Sequence, residues 1–349
     1  MGNDHIILEF SALMFKILRL TNQRGSIMKK ILIVLMIITF AVSSFAGEMV
    51  KVGISQIVEH PALDAVRDGI ISEMGKCGYV KGQNVEFDAQ SAQGNMVTAN
   101  QIANKFAGDK KDIVIGIATP TALSLINTFK KLAPKTPVMF AAVTDPAGAK
   151  MVKDLYKPGG MVTGVSDLAP IEAQFNLIFE LGFTPKKVGI IYNSGEQNSR
   201  SQLELAKAAA KKKGVKIVER AIANSSGVYA AAQSLVGKVQ AIYITTDNTV
   251  VSATESVVKV ADEHKIPLIM SDTDSVKRGA LAAKGFDYFK HGEQAGAMAC
   301  RILKGAKPGD LSVEFQKDLK LFINMKAART LNHGIPSALL NSADEVLNR

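Results

Sequence analysis

The sequence carries two cysteines, five histidines and no tryptophan, and aromatic residues make up only 6% of its 349 positions. Two cysteines cannot build the disulfide framework of a small secreted scaffold, and so few cysteines and histidines argue against a structural zinc site. No apolar run reaches the ~20 residues that a membrane-spanning helix needs. The chain is 47% apolar with only eleven prolines and 28 glycines, which excludes disordered, collagen-like and low-complexity classes. Catalytic and nucleotide signatures are missing too: no GxGxxG follows a strand, and there is no P-loop, HExxH or GxSxG. The length suffices for two domains, each with its own core.

What is present begins with an export signal. The longest apolar run, Ile31 to Val42, follows Met28-Lys29-Lys30 and precedes Ser43-Ser44-Phe45-Ala46-Gly47. A basic start, a short apolar centre and small residues at Ser44 and Ala46 predict a signal peptide over 28–46, cleaved after Ala46. No cysteine follows it, so the expected product is free in a periplasm. Residues 1–27 read as an upstream extension, with translation starting at Met28. Removing five basic and two acidic residues with the first 46 lowers the net charge from +10 to +7. Most of the basic pairs and the triplet Lys211-Lys212-Lys213 fall at predicted helix ends, where cations complement the helix dipole, and no aromatics interleave with them. A solvated face is expected and nucleic acid is not.

From residue 50 the pattern alternates. Strands are predicted at Val50–Ser55, Val85–Ala89, Ile113–Ile117 and Val138–Ala142, with helices at Ala62–Cys77, Met96–Phe106 and Ala122–Lys131. The rhythm restarts with a helix over Pro170–Leu181, then strands at Val188–Tyr192, Val215–Ala221, Ala241–Thr245 and Pro267–Met270. Helices at Gln197–Lys213, Tyr229–Val236 and Val250–His264 separate them. A tail follows, with strands at Ala280–Ala283 and Leu319–Asn324 and helices at Tyr288–Leu303 and Lys326–Leu331. Short β-branched strands alternating with longer helices imply parallel sheets covered on both faces. The expected fold class is α/β: two Rossmann-like lobes joined by a hinge. The first lobe is expected to hold 50–162 and about 278–312, the second 163–277 and about 313–349. Cys77 and Cys300 read most plainly as buried free thiols; in an oxidising compartment they could instead pair.

In open parallel sheets ligands bind beyond the carboxyl ends of the strands. The residues there are polar in both halves: Ser55 and Glu59, Thr119 and Thr121, Asp145, then Asn193, Glu196 and Asn198, Asp247, and Asp272. Each alone reads equally well as a helix cap. Together they describe a cleft whose threonine donors and helix N-termini suit a carboxylate and whose acids suit an ammonium. His60, before Pro61, reads as a loop residue rather than a general base.

The blocks Ser55-Gln56-Ile57-Val58-Glu59-His60-Pro61-Ala62-Leu63-Asp64, Ala118-Thr119-Pro120-Thr121-Ala122, Thr144-Asp145-Pro146, Asn193-Ser194-Gly195-Glu196-Gln197-Asn198-Ser199 and Thr245-Thr246-Asp247-Asn248-Thr249 give a family likeness, and Asp274-Ser275-Val276-Lys277-Arg278-Gly279-Ala280 fits it. In their order and spacing the chain resembles ABC-transporter substrate-binding proteins of the tryptophan/aromatic amino-acid type over nearly all of 50–345. The resemblance implies a type I periplasmic-binding-protein fold and a non-enzymatic receptor. It would bind a small zwitterion, an aromatic or apolar amino acid, and dock as a monomer on an inner-membrane permease. Neither cofactor nor metal is implied. On this reading Thr119 and Thr121 hold the carboxylate and Asp247 or Glu196 the ammonium. The ligand's side chain meets Tyr192, Tyr288 or Phe140, which could equally be core. The alternatives are a sensor or receptor for another polar metabolite, a sugar or nucleoside, and a periplasmic enzyme. A repressor core of this fold would need a DNA-binding headpiece where the signal peptide stands.

Overall fold

Strand and helix alternate through two successive runs, and each run builds its own sheet. The computed structural model describes residues 49–348; the predicted signal peptide and upstream extension lie outside them. The first run is β1 (Val50–Gln56), α1 (Pro61–Lys76), β2 (Val85–Ser91), α2 (Met96–Gly108), β3 (Ile113–Ile117), α3 (Thr119–Leu132), β4 (Val138–Ala141) and β5 (Val162–Ser166). The second is α4 (Ile171–Glu180), β6 (Lys187–Asn193), α5 (Gln197–Lys212), β7 (Lys216–Ile222), α6 (Val228–Gln233), β8 (Ala241–Ile244), α7 (Asn248–Ser252), α8 (Thr254–Glu263), β9 (Leu268–Met270), α9 (Asp274–Lys277) and β10 (Ala282–Gly285). A tail of α10 (Tyr288–Leu303), β11 (Glu314–Phe315), β12 (Lys320–Asn324), α11 (Met325–Thr330), α12 (Ser337–Ser342) and β13 (Glu345–Leu347) serves both.

The first sheet has the order β2-β1-β3-β4-β5-β11 and is parallel throughout. The second has the order β7-β6-β8-β9-β10-β12-β13, with β12 antiparallel to β10. Both contain the doubly wound pattern in which the chain reverses direction beside the first strand, leaving a crevice at the strand ends. Central strands are apolar on both faces because helices cover both. Every residue of β3, β4 and β8 is buried.

The sequence reading differs from the structure at the lobe boundaries and in one helix. The stretch around the lobe boundary expected at 162–163 instead enters β5, which pairs with β4 inside the first sheet. The single helix expected over Val250–His264 is two, interrupted at Ala253. The chain crosses between the sheets at 167–170, 286–287 and 316–319. Each crossing lies later than the boundaries expected near 162, 278 and 312, because strands β5, β10 and β11 finish their sheets first.

The crossing at 286–287 returns α10 to the first lobe, where it packs against α1. Gly69 and Gly292 permit this approach. A Cβ on Gly69 would sit 2.2 Å from the Phe289 carbonyl oxygen, and one on Gly292 2.2 Å from that of Val66. At the far end of the pair Cys77 and Cys300 form a disulfide, with Cα atoms 6.4 Å apart and a sequence separation of 223. The reading of two free thiols is thereby corrected: the helix contact brings together cysteines that the sequence keeps far apart.

Candidate functional site

The two lobes meet at the carboxyl ends of their strands and enclose a cavity. Its first-lobe wall is His60, Ala62 and Leu63 at the start of α1, with Ala142, Thr144 and Tyr288. Asp167 on the first crossover also lines it, and the second lobe contributes Asn198, Thr246, Asp247, Asn248, Val251 and Asp272. Two contacts bridge the lobes: the Thr144 and Thr246 hydroxyls lie 3.5 Å apart, and the Ser201 hydroxyl donates to Asp145 at 3.4 Å.

The polar groups of the cavity are buried but incompletely used. His60 caps α1, its Nδ1 accepting the Leu63 N–H at 3.4 Å, while Nε2 has no partner. Burial, helped by Arg278, lowers its pKa to about 3, so the imidazole is neutral. Asp167 accepts the Tyr288 hydroxyl on Oδ2 at 2.9 Å and leaves Oδ1 unpaired. Asn198 donates through Nδ2 to the Thr246 carbonyl at 3.1 Å and leaves Oδ1 unpaired. Buried polar atoms without partners are rare in folded proteins, and several around one cavity mark where a ligand completes the bonding.

Asp247 is fully buried. Its Oδ1 caps α7 through the Val250 N–H at 2.8 Å, and its Oδ2 takes the Asn193 N–H at 2.5 Å. Burial, with the Glu196 carboxylate nearby, raises its pKa to about 7. Asp272 accepts from the Ser275 N–H and hydroxyl at 2.8 and 2.7 Å, and burial raises its pKa as well. Among the described residues, three aspartates and no lysine or arginine therefore line the cavity. Such a wall favours a cationic group, which would relieve the cost of burying the acids. Among the described residues no group of three His, Cys, Asp or Glu side chains is placed to hold a metal ion.

Of the residues expected from the sequence, Asn198, Asp247 and Asp272 come together around this cavity. Ser55, Glu59, Thr119, Thr121, Asp145, Asn193 and Glu196 do not line it. Glu59 is exposed on a separate depression beside Arg67. The Thr121 hydroxyl donates to the Ile117 carbonyl at the end of β3, at 2.6 Å. Ser55 and Thr119 are buried with unpartnered hydroxyls away from the cavity wall. Asp145 joins the inter-lobe bridge, and Asn193 forms a local turn through the Gly195 N–H at 2.8 Å. Glu196 is consumed inside the second lobe, taking the Asn248 side-chain amide at 2.5 Å and the Thr249 hydroxyl at 2.7 Å. Phe140 is core and Tyr192 packs against the second lobe's core, leaving Tyr288 as the aromatic at the wall. The sequence reading missed Asp167, because β5 was not recognised as a strand whose end it follows, and set His60 aside as a loop residue.

The sequence profile for ABC transporter substrate binding proteins matches residues 51–347. The chain belongs to this family. It is a substrate-binding protein, not an enzyme, with the type I periplasmic-binding-protein fold. It is 43% identical over 282 residues to a tyrosine-binding protein of Clostridioides difficile, covering 81% of each chain. It is 36% identical to a Streptococcus pneumoniae domain crystallised with L-Trp, at a TM-score of 0.82, covering 86% of this chain and all of the other. A ligand-free, open substrate-binding protein from Clostridium difficile is 38% identical with the same coverages, yet its TM-score is 0.65. The chain is more similar in structure to the L-Trp complex than to the ligand-free, open protein.

Proposed function

We propose that this chain is the exported receptor of an ABC importer and binds an aromatic amino acid between its lobes. The observation that carries the reading is the cavity itself. Unpaired polar atoms from both lobes and three aspartates surround a space closed on one side by Tyr288. The aspartates suit an ammonium group, and two relatives more than a third identical are a tyrosine-binding protein and a domain crystallised with L-Trp, tyrosine and tryptophan both being aromatic amino acids. A ligand touching both lobes binds the closed arrangement more tightly than the open one, and that difference drives closure. The closed form would then dock as a monomer on an inner-membrane permease. Cleavage after Ala46 would deliver the receptor to the periplasm.

Calorimetric titration of residues 47–349 with L-tyrosine, L-tryptophan, L-phenylalanine, L-leucine and a nucleoside tests the reading. Because the chain has no tryptophan, ligand fluorescence gives an independent readout for L-tryptophan. Saturable binding of tyrosine or tryptophan, stronger than that of leucine or the nucleoside, is expected. Absence of binding by every aromatic amino acid would overturn the assignment.

A further inference from the structure

The aspartates account for an ammonium but leave the ligand's other charge without a partner, since among the described residues no cationic side chain lines the cavity. We propose that His60 and the first turn of α1 hold the carboxylate of the bound amino acid, with the imidazole Nε2–H and the Ala62 N–H as its donors. The proposal rests on the amino-acid reading above and replaces Thr119 and Thr121, expected from the sequence, in this role.

The first turn of α1 has four N–H positions to account for. Pro61 has none; Leu63 donates to His60 Nδ1, and Asp64 donates to the His60 carbonyl at 3.0 Å. Ala62 is left, and no partner for its N–H is found among the described residues. Ala62 lines the cavity, as does His60. The cap also fixes the tautomer. Because Nδ1 accepts from Leu63, the proton of the neutral ring must sit on Nε2. That nitrogen is a donor, is buried, and has no partner. Two unpaired donors at the positive end of a sixteen-residue helix form a carboxylate site. Neither could accept a bond from an ammonium.

The arrangement also divides the ligand between the lobes. Its carboxylate falls to the first lobe through α1, and its ammonium to Asp247 and Asp272 of the second, with Asp167 on the crossover between them. An amine lacking the carboxylate would keep its second-lobe partners and lose its hold on α1.

The test compares L-tyrosine with tyramine, and L-tryptophan with tryptamine, on wild type, His60→Asn and His60→Gln. Asparagine is a good N-cap, so His60→Asn retains the cap while withdrawing the donor from the cavity. It is expected to melt close to wild type, to bind the amino acids on the order of 10- to 100-fold more weakly, and to bind the amines unchanged. Glutamine keeps a donor at longer reach and caps poorly. His60→Gln should therefore lose stability yet retain more of the preference for acid over amine. Undiminished amino-acid binding by His60→Asn, or an equal loss for acids and amines, would overturn the carboxylate assignment alone. Failure of wild type to bind either amino acid would instead overturn the reading on which it rests.

Discussion

Thr144 and Thr246 face each other across the cleft with their hydroxyls 3.5 Å apart, one at the end of β4 and the other at the end of β8. Only lobes already drawn together can make this contact. With the Ser201–Asp145 bond it holds the lobes together across the cleft. The double substitution Thr144→Ala and Ser201→Ala should weaken amino-acid binding by about 1–2 kcal/mol, mostly through faster dissociation. Stopped-flow kinetics would separate the two rates, and an unchanged dissociation rate would refute this role.

Asp247 makes binding sensitive to pH. In the empty protein its pKa is about 7, above the ordinary carboxylate value. An ammonium favours the ionised form, so binding displaces a proton. Affinity for an amino acid should rise with pH up to and slightly above 7 and then level, until the ligand amine itself deprotonates. Asp247→Asn should flatten that rise and cost at least about 2 kcal/mol of binding. Calorimetry in buffers of differing ionisation enthalpy would count the proton.

The same group has the opposite effect on the stability of the empty protein. The folded state keeps a proton that the unfolded chain has released above about pH 4. Asp247 therefore contributes most to stability below that value, and the contribution is lost as pH rises through about 7. Urea denaturation of wild type and Asp247→Asn across this range should show the wild-type curve falling more steeply.

The Cys77–Cys300 bond closes a loop spanning 223 positions. The chain-entropy account gives an upper figure of about 5 kcal/mol for a loop of that size. Reduction, or Cys77→Ser with Cys300→Ser, should lower the denaturation midpoint substantially while leaving the cavity residues in place. Without reductant, the denatured protein should present no free thiol to a thiol reagent.

Gly69→Ala should be disproportionately harmful for an added methyl. Its Cβ would approach the Phe289 carbonyl to 2.2 Å, so α1 and α10 must separate. A loss of about 1–3 kcal/mol is expected, together with a weaker ligand grip because His60 and Tyr288 stand at the cleft ends of these two helices.

The alternation of strand and helix was legible because periodicity reports burial, and burial here is regular. β3 and β4 read as buried strands from their apolar runs alone. β5 did not, since Val162-Thr163-Gly164-Val165-Ser166 mixes small and polar residues. Thr163 is nonetheless buried, donating to the Leu311 carbonyl at 2.9 Å. Within the site, strand-end position identified Asn198, Asp247 and Asp272. The same rule could not distinguish them from Thr121 or Glu196, whose oxygens turn inward to their own lobes. A polar side chain at a strand end can serve either direction, and the choice depends on neighbours contributed by distant segments. His60 was obscured for a related reason: capping occupies one nitrogen, and only the fold shows where the other lies.

The placement of α10 has a consequence for the order in which the protein can be made. The helix that covers α1 and supplies the partner of Cys77 is encoded after almost the entire second lobe. A nascent chain that has emerged through β9 owns every strand of the first sheet except the short β11, yet its α1 still presents a bare flank. The amino-terminal half therefore cannot mature ahead of the carboxyl-terminal half, as independent domains do during synthesis. Cys77 must wait for residue 300 to be exported, and fragments ending before it should remain protease-sensitive throughout.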